Sequence, residues 1–179
     1  EETIQFVRKH KPDFGVAWDA DADRVFFYDE KGGFVQGYYT ISILARHLLA
    51  SHSGSKILFD ARQIWASYDT VQKAGGIPIE VKPGHSFIKD RMRSEGALFA
   101  GEKSGHFYFR DFFGVDSGMA PFLLMLDILS NSTTPLSAIA DEFRSTYPAS
   151  EEINVTVADA DAVMAGIERQ YGDGTVKKI

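Results

Sequence analysis

The acidic segment at residues 19–24, which reads Asp-Ala-Asp-Ala-Asp-Arg, most constrains how this sequence can fold. Residues 14–18 before it and 25–28 after it are rich in aromatic and β-branched side chains, which is typical of strands. Three carboxylates this close repel one another, and each raises its neighbours' pKa unless a cation lies among them. The sequence therefore predicts two strands joined by an acidic loop.

This acidic loop is either a metal site or a solvated acidic turn. Asp19, Asp21 and Asp23 are hard oxygen ligands, and a few carboxylates are what Mg²⁺ usually takes from a protein. Arg24 favours the metal site, because a guanidinium beside a carboxylate cage suggests a phosphate that the metal and the arginine hold together. We therefore expect Mg²⁺ as the cofactor.

Two other kinds of acidic loop have a similar spacing. A helix–loop–helix calcium site needs glycine at its sixth position, where Arg24 stands, and it needs helices rather than strands on both sides. That interpretation fails. A phosphatase of the haloacid-dehalogenase type, which would use Asp19 as its nucleophile, stays open as an alternative.

Composition limits the partners of the chain. The 179 residues carry a net charge of -6 and no basic run, so nucleic acid and anionic membranes are not expected to bind. Without cysteine there is neither a disulfide framework nor a thiolate zinc site. No apolar run reaches the length of a membrane span and no signal peptide opens the chain, which predicts a cytoplasmic protein.

Apolar periodicity predicts a layered α/β domain over residues 37–146, with a mixed, mostly parallel sheet and helices. The expected strands cover 56–59, 77–81, 98–100 and 107–109, and the expected helices cover 41–53, 63–74, 87–93, 117–129 and 136–144. Pro78 suggests an edge or a start for its strand. The helix over 117–129 is apolar nearly all round, so we expect it to be buried.

Partial domains are expected on both sides of this α/β domain. Residues 1–36 contain a helix over 1–10 and the two strands around the acidic loop, too little for an independent sheet. Residues 147–179 begin with a hinge and contain a strand near 153–157 and a helix near 160–171. We interpret the first segment as the end of one domain and the last as the start of another.

A first polar loop, residues 82–86, follows a strand and opens a helix. Backbone amides at a helix start suit an anion, and Lys82 and His85 could also bind it. The alternative is an ordinary loop in which Ser86 caps the helix.

A second polar loop, residues 101–106, offers a carboxylate, a hydroxyl and an imidazole between two glycines. Glu102, Ser104 and His106 form a set that can grip sugar hydroxyls, and the histidine can move a proton near neutral pH. The alternative is a polar hairpin tip. Arg62 follows a strand that ends in Asp60, where α/β sheets bind their ligands.

These motifs together resemble the α-D-phosphohexomutases, specifically their phosphomannomutase/phosphoglucomutase branch. That family carries Asp-Gly-Asp-x-Asp-Arg, Gly-Tyr-Tyr, Gly-His-x-x-Ile-Lys and Gly-Glu-x-Ser-x-His, in this order. The matching segments here are 19–24, 37–39, 84–89 and 101–106. Ala20 stands where the family usually has glycine, and Lys103 where methionine is common.

The resemblance implies interconversion of hexose 1-phosphate and hexose 6-phosphate, of mannose, glucose or both, through a phosphoserine and Mg²⁺. It implies that the metal ligands are Asp19, Asp21 and Asp23, that the catalytic residues are His106, Arg24 and Arg62, and that the substrate-binding residues are Glu102, Ser104, His85 and Lys89.

The family's nucleophile motif, Thr-Ala-Ser-His-Asn, does not precede Asp19, and its Arg-x-Ser-x-Thr-Glu-Pro phosphate loop does not occur. We therefore expect a fragment whose partners are the missing domains of the same chain and which is inactive alone. A non-catalytic module that binds sugar phosphates is a further alternative.

Overall fold

The computed structural model describes residues 1–62, 64–150, 153–172 and 174. The chain divides into two compact units, Glu1–Pro148 and Ala149–Ile179. Residues 1–36 and 37–146 thus belong to one compact unit, and the boundaries inferred from the sequence at 36 and 146 stay predictions. None of the helices that the structure describes is long and apolar enough to cross a membrane.

The first unit opens with a helix and a small antiparallel sheet. Helix α1 covers Glu2–His10 and ends at Lys11, which has a left-handed backbone. The strands are β1 (Phe14–Trp18), β2 (Val25–Asp29) and β3 (Phe34–Val35), in the order β1-β2-β3. Trp18 lies opposite Val25 in the register. The predicted pair of strands joined by the acidic loop is confirmed.

Among the described residues, a second, five-stranded sheet, five α-helices and a short 3₁₀ turn make up the rest of this unit. In chain order these are α2 (Gly37–Ser51), β4 (Lys56–Asp60), α3 (Trp65–Lys73), β5 (Ile77–Val81), α4 (His85–Glu95), β6 (Phe99–Gly101), β7 (Phe107–Phe109), a short 3₁₀ turn (Arg110–Phe112), β8 (Val115–Asp116), α5 (Met119–Ser130) and α6 (Leu136–Thr146). Gln63, where the sequence predicts the start of the third helix, lies outside the described residues.

The five-stranded sheet has the order β5-β4-β6-β7-β8. The β5–β4 and β4–β6 pairs are parallel, whereas β6–β7 and β7–β8 are antiparallel. The predicted mixed α/β sheet is confirmed, but only half of its pairs are parallel. A turn of five residues between β6 and β7 is too short for the crossover that a parallel pair requires. Pro78 lies in β5 at the edge of the sheet, as expected.

Alternate residues of the interior strand β4 pack on opposite faces of the sheet. Ile57 and Phe59 join the larger core, which contains much of α2 and parts of α3, α5 and α6. Leu58 joins the smaller core with Ile88 and other residues of α4. This period of two follows from strand geometry, and it gives the second sheet a covered face on both sides.

The helix predicted over residues 117–129 is present as α5, but the prediction that it is buried is wrong. Pro121 and Met125 of α5 are buried, but Met119, Leu123 and Leu126 are 52%, 54% and 41% exposed. These three residues recur at helical spacing, so they share one face. Within the described part of the chain this face remains exposed. The prediction failed because apolar composition alone does not decide which side of a helix packs against the core.

Residues 149–179 contain one helix among the described positions, α7 (Ala160–Gln170), which confirms the prediction there. Its first turn is capped by Asp159, whose carboxylate accepts the Ala162 amide at 3.0 Å. The strand predicted near 153–157 is wrong: these residues are irregular, and Ile153 and Val155 are largely exposed. None of the described residues pairs with them, and a strand needs a partner to form.

The acidic loop docks onto the second sheet through backbone contacts. The Val25 amide donates to the Gly105 carbonyl at 3.1 Å, and the Gly118 amide donates to the Ala22 carbonyl at 3.2 Å. The indole N–H of Trp18 donates to the Gly118 carbonyl at 3.1 Å. A Cβ at Gly118 would lie 2.6 Å from the Ala22 carbonyl oxygen, so this approach requires glycine.

We predict that Trp18→Phe destabilises the first unit by about 1 kcal/mol, because it removes the hydrogen bond to Gly118 and keeps an aromatic ring. The only other tryptophan, Trp65, is 72% exposed, and Trp65→Phe is the matched control, with an expected change within about 0.5 kcal/mol. Urea unfolding followed by circular dichroism measures both. Equal stabilities for the two variants would contradict the docking contact.

Candidate functional site

The acidic loop is closed by its own arginine. The Arg24 backbone amide donates to Asp19 Oδ1 at 3.2 Å, and Arg24 Nε donates to Asp19 Oδ2 at 2.6 Å. The left-handed backbone in this turn lies at Ala22, with φ of 59°, and not at Ala20. Alanine at position 20 therefore needs no conformation reserved for glycine, which explains how the loop tolerates this departure from the family pattern.

The three aspartates of the loop converge. Asp19, Asp21 and Asp23 each offer an oxygen, and these oxygens lie within 4.8 Å of one another. Asp23 Oδ1 is buried and has no hydrogen-bond partner. Arg24 Nε lies 3.8 Å from this oxygen, beyond hydrogen-bond distance. A buried carboxylate oxygen that accepts no hydrogen bond is costly, and a bound cation would satisfy it. The donor set is therefore one that a hard divalent cation fits.

Charge keeps Asp19 ionised. Burial by itself would raise the pKa of Asp19, but the hydrogen bonds and the positive charge of Arg24 outweigh that effect and lower the pKa below its ordinary value. The arginine thus keeps one carboxylate of the loop in its charged form. It also donates to both oxygens of that carboxylate, while its own side chain remains 44% exposed.

The second polar loop brings its histidine to the acidic loop. The Gly105 amide donates to the Glu102 carbonyl at 3.1 Å, and Gly105 has φ of +94°, so the turn between β6 and β7 is tight. His106 Nδ1 is hydrogen-bonded to the Ser104 hydroxyl at 3.0 Å, and His106 Nε2 lies 3.5 Å from Asp23 Oδ2. One imidazole therefore connects Ser104 of the second polar loop with a carboxylate of the acidic loop.

Glu102 ties the two polar loops together. Its carboxylate is buried and accepts the Gly84 amide at 3.0 Å and the Tyr108 hydroxyl at 2.8 Å. Burial and the hydrogen bond to Glu102 raise the pKa of Tyr108 well above its ordinary value, so this hydroxyl stays a donor. Ser86 is not the helix cap: Gly84 takes that position, with φ of 123°. Residues that carry a side chain rarely adopt this φ, so the conformation of the loop over 82–86 depends on a glycine at position 84.

Asp116 organises the basic residues of α4. Its two oxygens lie 2.9 Å from His85 Nδ1 and 2.8 Å from Lys89 Nζ. Burial would raise the pKa of Asp116, but the hydrogen bond and charge of Lys89, with the charge of His85, lower it below its ordinary value. The His85 and His106 rings meet edge to face, with centroids 4.4 Å apart. Lys82, by contrast, is exposed and covers the Phe87 ring.

Arg62 joins this surface through a buried aspartate. Asp60 is 3% exposed, and its carboxylate accepts bonds from Arg62 Nε at 3.1 Å and Nη2 at 2.8 Å. The same carboxylate accepts the Lys103 amide at 2.6 Å. Asp60 therefore fixes both the guanidinium at the end of β4 and the loop that carries Glu102 and Ser104.

The structure thus brings nearly all the predicted site residues into one surface, with Arg62 attached through Asp60. The roles assigned to them stay predictions. Three residues that the sequence did not single out, Asp60, Asp116 and Tyr108, hold the predicted ones in place. A carboxylate at the end of a buried strand was the available signal for Asp60.

The comparisons with known proteins agree with this arrangement. Residues 36–147 match a family described as phosphoglucomutase/phosphomannomutase, alpha/beta/alpha domain III. The chain belongs to the phosphoglucomutase/phosphomannomutase family. The family resemblance inferred from the motifs is therefore confirmed.

A relative named "Phosphohexose mutases" from Xanthomonas campestris pv. campestris (strain B100) is 44% identical over 173 residues. The match covers 97% of this chain and 39% of the relative, so the chain spans well under half of that protein.

Among solved structures, a phosphoglucomutase/phosphomannomutase family protein from Burkholderia thailandensis superposes with a TM-score of 0.75 at 27% identity. The match covers 83% of this chain and 32% of the other. N-acetylphosphoglucosamine mutase of Aspergillus fumigatus, solved with GlcNAc-6P and magnesium, has a TM-score of 0.62 at 14% identity and covers 88% of this chain and 39% of its own. The second likeness shows a shared fold.

We predict that Asp60→Asn destabilises the first unit by about 2 kcal/mol, because it removes the negative charge and one of the two oxygens that accept from Arg62 and Lys103. Asp90→Asn is the matched control: its side chain is 77% exposed and pairs only with Arg93 among the contacts that the structure gives it. Its expected cost is within about 0.5 kcal/mol. Chemical denaturation compares the two, and an Asp60 variant as stable as the control would remove the anchoring role.

Proposed function

We propose that this chain is the metal-binding and sugar-binding part of a phosphohexomutase, an isomerase that interconverts hexose 1-phosphate and hexose 6-phosphate of mannose, glucose or both. The observation that carries the proposal is the 3.5 Å approach of His106 to Asp23, which joins the hydroxyl-binding loop to the carboxylate loop. Phosphoryl transfer between two oxygens of a sugar requires groups that neutralise the charge of the phosphoryl group and groups that bind the sugar hydroxyls.

Asp19, Asp21 and Asp23 would hold Mg²⁺, which the convergence of the three carboxylates and the lack of a hydrogen bond to Asp23 Oδ1 support. The magnesium found in the A. fumigatus mutase points the same way. When bound, Mg²⁺ supplies positive charge where negative charge develops on the transferred phosphoryl group. The carboxylate loop is preorganised for the substrate, because contacts of Arg24 and Ala22 fix its backbone.

The sugar side consists of Glu102, Ser104, His85 and Lys89. Ser104 presents a hydroxyl, and each Glu102 oxygen keeps a second lone pair beyond the bonds described above. His85 and Lys89 bring donors to the same surface, where Asp116 orients them. In this proposal they bind the sugar phosphate and fix which hydroxyl faces the metal loop.

His106, Arg24 and Arg62 are proposed to border the reacting groups. His106 is 12% exposed on its side chain and stands between Ser104 and Asp23, where it can move the proton of a sugar hydroxyl. The two arginines remain partly exposed, and their guanidinium groups are suited to phosphate. The phosphoserine that the family mechanism requires would be supplied by another segment of the full enzyme.

Neither alternative accounts for the site equally well. A haloacid-dehalogenase-type phosphatase leaves the loop over 101–106 without a role, and the family match covers that loop. A module that only binds sugar phosphates would need no cluster of three carboxylates with an unsatisfied oxygen.

A chimaera tests the proposed function. The aligned 173-residue segment of the X. campestris relative is replaced by this chain, and conversion of mannose 1-phosphate and glucose 1-phosphate to their 6-phosphates is measured. We predict Mg²⁺-dependent turnover that ceases when the metal is removed with EDTA. Asp21→Asn in the chimaera should lower kcat/KM by about 10²-fold or more, because charge stabilisation at the reacting phosphate is reduced.

Asp90→Asn serves as the control for the chimaera and should leave kcat/KM unchanged. The 179-residue chain itself is assayed for phosphate release from the same sugars. A folded, inactive chimaera, or equal activity of the Asp21→Asn variant, would contradict the mutase assignment. Phosphate release by the chain alone would favour the phosphatase.

A further inference from the structure

A second group of metal-ligand side chains lies beside the carboxylate loop. His85, Glu102 and His106 each offer a donor atom within 4.8 Å of the other two. Glu102 Oε2 lies 3.5 Å from His106 Nδ1, and the two imidazole rings are in contact. Two imidazoles and one carboxylate are a donor set that binds Zn²⁺ in proteins, with a fourth position left open.

Each of these three side chains is held by a partner behind it. His85 Nδ1 lies 2.9 Å from Asp116 Oδ2, and His106 Nε2 lies 3.5 Å from Asp23 Oδ2. The Tyr108 hydroxyl donates to Glu102 at 2.8 Å. A histidine that binds a metal through one nitrogen usually donates its other N–H to a carboxylate, which fixes the ring and makes the free nitrogen a better ligand.

The chemistry of this group differs from that of the carboxylate loop. Asp19, Asp21 and Asp23 offer only hard oxygens, which suit Mg²⁺. Imidazole nitrogens favour Zn²⁺ and similar transition-metal ions instead. The two neighbouring groups of ligands therefore select different ions.

We propose that His85, Glu102 and His106 form a second metal site, which takes Zn²⁺ or a similar divalent transition-metal ion. Ser104, whose hydroxyl lies 3.0 Å from His106 Nδ1, stands next to the ligand set, where it can contact an ion-bound water. His85 is the accessible ligand, with 46% of its side chain exposed, so the ion has an entry path.

Occupation of this site has a consequence for the sugar side, and this step rests on the proposed function. Glu102, His85 and His106 would then face the ion and no longer the sugar. Zn²⁺ thus inhibits by competing with the hexose phosphate, while Mg²⁺ remains bound at the aspartates.

Nitrogen-15 NMR of the imidazole rings tests the site directly on the 179-residue chain. The chain has five histidines, so His10, His47 and His52 serve as internal controls. With one equivalent of Zn²⁺ in the presence of excess Mg²⁺, we expect large, saturable shifts of the ring nitrogens of His85 and His106. The three controls should not follow.

Variants assign the ligands. His85→Asn should weaken Zn²⁺ binding, measured by calorimetry with excess Mg²⁺, by about 10²-fold, and Asp116→Asn by about tenfold, because it removes the carboxylate behind His85. His47→Asn is the matched control and should change nothing. Asp21→Asn, which alters the carboxylate loop alone, should leave Zn²⁺ affinity unchanged.

Zinc shifts confined to the amides of residues 19–24, or spread equally over all five histidines, would overturn the proposal. So would wild-type zinc affinity in a His85→Asn variant that keeps its circular dichroism spectrum. These readouts do not depend on mutase activity. An inactive chimaera would therefore reject the proposed function without rejecting the zinc site.

Discussion

Two backbone hydrogen bonds hold the acidic loop against the second sheet, and the rest of the site depends on them. Val25 donates to Gly105, and Gly118 donates to Ala22. The first bond places the carboxylate loop beside the turn that carries His106, and the second is possible because residue 118 has no side chain. Two sheets with separate strand pairing thereby share one surface of carboxylates, imidazoles and hydroxyls. The aspartates would otherwise be a solvated turn at the end of a hairpin, and Glu102 and Ser104 a polar hairpin tip.

Much of the fold follows from local patterns. Alternating strands and helices between residues 37 and 146, the hairpin around the acidic loop and the edge position of Pro78 all follow from periodicity and turn residues. The exposed face of α5 does not follow from them. An apolar sequence shows that a helix can pack against a core, but it does not show which side of the helix does so. The absent strand near Ile153 has the same origin: strand propensity becomes a strand only when a neighbour supplies hydrogen bonds. The antiparallel half of the sheet could have been read from the short turn between β6 and β7.

The candidate site, like the fold, was predicted in part from the sequence and in part revealed only by the structure. The residues predicted from the sequence stand in short motifs and were found from the order of those motifs. Asp60, Asp116 and Tyr108 were missed because their roles exist only in the tertiary structure, where each hydrogen-bonds a residue distant in the sequence or on another element. The turn at Ala22 shows the opposite case: the departure at Ala20 was visible in the sequence, but only the backbone showed that the left-handed residue lies two positions later. Motifs thus predicted the groups that are proposed to bind a ligand, and the structure identified the groups that orient them.

Hydrogen exchange of the Val25 amide tests the docking of the two sheets most directly, because that amide points out of its own hairpin toward Gly105. In the native 179-residue chain its exchange should be slowed to within about tenfold of the Phe59 amide in the centre of β4, since both would open only with the folded unit. The Gly118 amide should behave likewise. Exchange of Val25 at the rate of an exposed loop amide, with Phe59 still protected, would show that the acidic loop is free of the second sheet and would contradict a shared site.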